Sequence, residues 1–145
     1  MTAPARSRRF VCAALACLLV PAAGNAPAAD PGVPGSNALS ATESAIVDRT
    51  NAARARRGLP PLVADASLMA GARRQASWMA RNRSLSHGQG VTENIAMGQS
   101  SADEAVADWM RSDGHRANIL GSHGRIGVGV AHAADGTAYC CQQFR

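Results

Sequence analysis

A chain of 145 residues, 46% of them apolar, can fill one hydrophobic core and leaves no room for a second sizeable domain. Its basic residues are all arginine, 15 against 10 acidic residues, for a formal net charge of +5. Three of the arginines fall in the first nine positions; the rest leave an excess of about +2, scattered and without interleaved aromatics, which excludes a nucleic-acid interface.

Arg6, Arg8 and Arg9 precede an uncharged apolar run, FVCAALACLLV (10–20), and a small-residue stretch, PAAGNAPAAD (21–30). That order reads as a secretory signal peptide over residues 1–28, cleaved near Ala26 or Ala28. An uncleaved anchor and lipidation at Cys17 compete with this reading, the second opposed by ALAC sitting in the middle of the run. The run is short for a transmembrane helix and nothing later approaches one, so no stable membrane span is expected after cleavage. The destination is extracytoplasmic, either secreted or periplasmic. Residues 29–39, rich in Pro, Gly and Ala without an apolar period, read as a flexible linker, and the folded domain spans 40–145.

SATE (40–43) has the form of a capping box that opens a first helix, ended at Gly58 before Pro60 and Pro61. A second helix follows Asp65, with Leu68, Ala72, Ala76 and Met79 at helical spacing and Arg73, Arg74, Arg81 and Arg83 largely off that stripe. SLSHGQGVTENIAMGQ (84–99) reads as a glycine-containing loop. Ser101 and Glu104 form a second capping box for a third helix, whose buried side is Ala105, Val106, Trp109 and Met110. A short helical turn follows at GHRANIL (114–120). RIGVGVAH (125–132) reads as a strand with one buried face, alternating Ile126, Val128 and Val130 with glycines, and ADG (134–136) turns it into a return strand, TAYCCQQF (137–144). Helices first and strands last, without a βαβ rhythm, indicate an α+β fold with an antiparallel sheet covered by helices.

Cys140 and Cys141 are neighbours in that last strand, so their side chains point to opposite faces and bond each other only with strain. They read as two semi-buried strand residues, with intermolecular pairing as the alternative, and they form no disulfide framework or zinc motif. Trp78 and Trp109 read as packing residues.

The residues able to do chemistry are His87 and Glu93, six positions apart, and His115 after Gly114. Two neutral imidazoles with a carboxylate could form an open site for Zn²⁺ or another divalent cation, and an unligated Glu93 could instead deprotonate a bound water. Spacing alone does not decide between such a site and ordinary surface polar residues. His123, in what reads as an exposed loop, and His132, at a strand end, read as structural or solvated.

Four stretches in order, IVDRTNAARARRGLPPL (46–62), SHGQGVTENIAMG (86–98), VADWMRSDGHRANIL (106–120) and IGVGVA…YCCQQF (126–144), resemble the CAP/SCP superfamily of cysteine-rich secretory, antigen 5 and pathogenesis-related proteins, in its bacterial branch. The resemblance implies an α-β-α sandwich, a central antiparallel sheet with helices on both faces and an open cleft. It also implies that His87, Glu93 and His115 line that cleft, with the two histidines as cation ligands. Ser112 stands where the family places a second glutamate, and Asp113 beside it points elsewhere on a helix. Asn51, Arg54, Asn94 and Asn118 read as structural polar residues that tie loops together.

Three functions remain open at this point. One is a binding or signalling module for a lipid, envelope or protein ligand. Another is a metal-assisted hydrolase or peptidase in which Glu93 activates water. The last is an interaction protein with a vestigial cleft. The incomplete carboxylate set favours binding, and fold alone does not decide.

Overall fold

The computed structural model describes residues 38–145, so the expected signal peptide, and the linker up to position 37, lie outside the described residues. In chain order the elements are α1 (Ala41–Ala55), β1 (Val63–Ala64), α2 (Ala66–Asn82), β2 (Thr92–Met97), α3 (Ala102–Arg111), α4 (Asp113–Leu120), β3 (Arg125–His132) and β4 (Ala138–Phe144). The four strands form one sheet in the order β1-β3-β4-β2. The fold is α+β.

Local chemistry explains where the helices begin. At α1 the Ser40 hydroxyl accepts from the Glu43 amide at 3.2 Å and the Glu43 carboxylate accepts from the Ser40 amide at 2.8 Å, a complete capping box. Asp65 caps α2 by accepting from the amides of Ser67 and Leu68. At α3 the box is only half formed. The Ser101 hydroxyl accepts from the Glu104 amide, but the Glu104 carboxylate takes the amide and hydroxyl of Ser100, one residue earlier. Leu39, in the expected linker, already packs on the core, and the Ala38 carbonyl accepts from Arg73.

The sheet departs from the expected antiparallel pattern at one edge. β2 pairs antiparallel with β4, and β3 antiparallel with β4, whereas the two-residue β1 runs parallel to β3. β2 is a second departure. Residues 92–97 lie in the segment expected to be a loop and form the opposite edge strand.

Side chains alternate between the two faces. Ile126, Val128, Cys140 and Phe144 join Ile46, Val106, Trp109 and Ile119 under α1, α3 and α4. Ile95, Tyr139 and Cys141 join Ala72, Ala76 and Met79 under α2. Cys140 and Cys141 therefore belong to different cores, and both are buried free thiols. The glycine face of β3 is covered too: a Cβ on Gly127 or Gly129 would lie closer than 3.0 Å to the backbone of α2. Those two glycines let the helix lie directly on the strand. Trp109 is 1% exposed and its indole donates to the Ile95 carbonyl, while Trp78 is 41% exposed and is not a core residue.

Candidate functional site

β2 is the spine of the site, because its consecutive residues send side chains to opposite faces of an edge strand. Glu93 faces the α2 layer and is paired in register with Gln143; Asn94 faces the α4 layer and is paired with Gln142. A histidine is fixed on each side.

On the first side, α2 ends at Arg83 in the left-handed conformation and the chain turns back along the helix, where the Gln75 amide donates to the Ser86 carbonyl. Gly90, with φ +72°, turns the loop into β2. The loop closes over the Glu93 carboxylate, whose side chain is 1% exposed. Oε1 accepts from the Gly88 amide and lies 3.1 Å from His87 Nδ1. Oε2 accepts from Gln143 Nε2 at 3.3 Å and from the Cys141 thiol at 3.5 Å. An ionised carboxylate offers about four lone-pair positions, and all four are taken. Glu93 engages His87 through Nδ1, which turns Nε2 outward on a ring that is 58% exposed.

On the second side, His115 occupies the first turn of α4. Its carbonyl accepts from Asn94 Nδ2 at 3.0 Å. Asn118 Nδ2 donates to Asn94 Oδ1 at 2.9 Å and to the Glu93 carbonyl at 3.3 Å, so α4 is tied to β2 by two amides. Burial lowers the His115 pKa, and the neighbouring His87 lowers it further.

The other candidate positions fall outside this pair. Ser112 joins α3 to α4 and its hydroxyl makes no cap bond. The Asp113 carboxylate, 92% exposed, pairs with Arg116 and does not replace the missing acid. Asn51 bonds both the amide and carbonyl of Leu62. Arg54, 1% exposed, donates to the carbonyls of Pro60, Ile119, Gly121 and His123 and so locks the end of α4. His123, read as structural or solvated, is structural: its ring stacks on Phe144 with centroids 5.4 Å apart.

As a cation site the donor set is two imidazoles with a carboxylate behind one of them. Among the described residues no group of three or more His, Cys, Asp or Glu side chains gathers as a metal cage. A closed structural zinc site thus does not fit. The chemistry of the donor set, two imidazoles with Glu93 bonded behind His87, is that of an open site rather than a closed one.

Sequence reasoning missed Gln142, Gln143, Thr50 and Gln75. The signal for the first two was present: consecutive amides in a strand whose two faces are both covered must each find buried partners.

Comparison with known proteins bears on this geometry. The profile of the family described as "CAP: Cysteine-rich secretory protein family" matches residues 47–144. A relative from Bacillus subtilis (strain 168), YkwD, is 33% identical over 126 residues, covering 74% of this chain but only 48% of that protein. Among solved structures, an outer surface protein from Borrelia burgdorferi has a TM-score of 0.64 at 18% identity, covering 70% of this chain and 89% of that one. An extracellular SCP-domain protein from Bacillus anthracis has a TM-score of 0.58 at 27% identity, covering 72% of this chain and 40% of that one.

Proposed function

This chain belongs to the CAP family of cysteine-rich secretory proteins, and on that premise we propose that it is an extracytoplasmic binding module for a lipid, envelope or protein ligand, with a divalent cation such as Zn²⁺ held between His87 and His115. The observation that carries the reading is the filled coordination of Glu93. A general base needs a lone pair facing the water it deprotonates, and Glu93 spends its acceptors on Gly88, His87, Gln143 and Cys141. That favours binding over hydrolysis.

His87 would contribute Nε2, its other nitrogen being held by Glu93, and His115 would contribute a ring whose neutral form burial favours. A cation bound there would supply Lewis acidity toward an oxygen of the ligand. The chain's own part is to hold two imidazoles in fixed orientation at an open edge of the sheet. Among the described residues no helix is long and apolar enough to cross a membrane. The extracellular setting named for the Bacillus anthracis structure supports the proposed location.

The test is a calorimetric Zn²⁺ titration of the wild type, His87→Ala and His115→Ala, with peptide and ester hydrolysis assayed in the same samples. Each substitution should abolish or strongly weaken binding, and no sample should show metal-dependent turnover. Unchanged affinity in both variants would remove the cation site. Turnover that depends on Zn²⁺ and disappears in Glu93→Ala would replace binding with hydrolysis.

A further inference from the structure

The buried side chains behind His115 form a hydrogen-bonded chain that runs in one direction. It starts in α1, where the Thr50 hydroxyl donates to the Ile46 carbonyl at 2.8 Å. A carbonyl can only accept, so the single hydroxyl proton of Thr50 is committed and its oxygen is left as an acceptor. Gln142 must therefore present Nε2 to Thr50, at 2.6 Å, and turn Oε1 toward Asn94. Asn94 must answer with Nδ2, at 3.3 Å, and its second N–H then reaches the His115 carbonyl at 3.0 Å. The amide orientations agree from both ends, since the His115 carbonyl and the Asn118 amide fix Asn94 in the same sense. Thr50, Gln142 and Asn94 are each 0% exposed, so no solvent can substitute for a missing link.

We propose that Thr50 and Gln142 are positioning residues for His115, fixing the first turn of α4 from α1 and β4 through Asn94. Ser112, at the start of α4, gives no side-chain cap bond, and the turn is held by Asn94 from β2 on one side and by Arg116, bonded to the Met110 carbonyl and Asp113, on the other. His87 depends on a different set. Glu93 and Gln143 hold it on the opposite face of the sheet, with no bond to Thr50 or Gln142. The side chains that hold the two histidines thus lie on opposite faces of the same two strands, with Asn118 bonded to both Asn94 and the Glu93 carbonyl.

The proposal rests on His115 being a member of the cation site, and its test reads the two apart. Long-range ¹H–¹⁵N spectra of the metal-free protein would follow the ring nitrogens of both histidines in the wild type, Thr50→Val, Gln142→Glu and Thr50→Ser. Zn²⁺ affinity would be measured calorimetrically and thermal unfolding by circular dichroism. Thr50→Val keeps the shape and removes the relay. It should move the His115 signals, leave those of His87 in place and weaken Zn²⁺ binding about tenfold, the lower end for outer-shell residues. Thr50→Ser keeps the hydroxyl and should restore both readouts.

A folded Thr50→Val protein with unchanged His115 signals would overturn the proposal, as would one in which both histidines shift equally. If Gln142→Glu does not fold, the Thr50 pair decides. A wild type that binds no Zn²⁺ would refute the cation reading above, and the metal-free spectra would still decide the positioning chain.

Discussion

Gly127→Ala adds one methyl group where the structure leaves no space for it. The new Cβ would lie closer than 3.0 Å to backbone atoms of Leu68 and Met69 in α2. Backbone inside a capped 17-residue helix has no rotamer to change, so the helix must move as a body. Restoring ordinary carbon contacts requires α2 to retreat by on the order of 1 Å, and a gap of that size forfeits roughly a quarter to a half of each dispersion contact along the interface. Leu68, Met69, Ala72, Ala76 and Met79 all face that interface or the core beneath it. Overpacking a core by a methyl group commonly costs about 1–3 kcal/mol, and rigid backbone on the receiving side places this case near 3 kcal/mol. In a domain of this size that lowers Tm by roughly 12–24 °C.

The assay is thermal and urea unfolding of Gly127→Ala beside Gly114→Ala, since a Cβ on Gly114 meets nothing within 4 Å. Gly114→Ala should match or slightly exceed the wild type, because alanine is the better helix former. A Gly127→Ala protein within a degree or two of wild type would refute direct seating of α2 on β3.

Other consequences are open to measurement. Arg54→Met leaves the carbonyls of Pro60, Ile119, Gly121 and His123 without their donor, and should cost about 3 kcal/mol or more by urea unfolding; a loss under about 1 kcal/mol would mean these groups find other partners. Burial, and then the charge of Arg54, lowers the His123 pKa, so the unfolded chain takes up the proton first and stability declines as pH falls below about 6.5. His123→Gln should flatten the slope of stability against pH between 7 and 5, and an unchanged slope would remove His123 as a contributor. Burial pushes the Cys140 thiol up to about 11 and, with help from Glu93, raises that of Cys141 further. Neither should react with a thiol reagent at pH 8 until denaturant is added, and fast labelling of the native protein would contradict their placement.

Much of this protein is decided by neighbours in the sequence. A serine three residues before a glutamate starts α1, an aspartate starts α2, the Leu68–Met79 stripe chooses the inner face of α2, and the alternation after Arg125 with its turn at Gly136 makes the hairpin. Each of these rests on contacts a few residues apart, so periodicity and capping chemistry suffice to read them.

What lay beyond that reach is everything that depends on register between distant strands. Thr92–Met97 looks like a loop because its buried positions include a glutamate and an asparagine, and only pairing with Gln143 and Gln142 makes their burial tolerable. The glycines of β3 look like an open face until α2 is laid across them. The role of Glu93 turns on the same point. Read alone it is an acid free to ligate or to take a proton; in the fold its second oxygen is filled from 48 and 50 residues away, by Cys141 and Gln143. The sequence determined which residues could do chemistry at the site. The tertiary structure decided which lone pairs remain open, because a carboxylate's capacity is used up by whatever donors the fold brings to it.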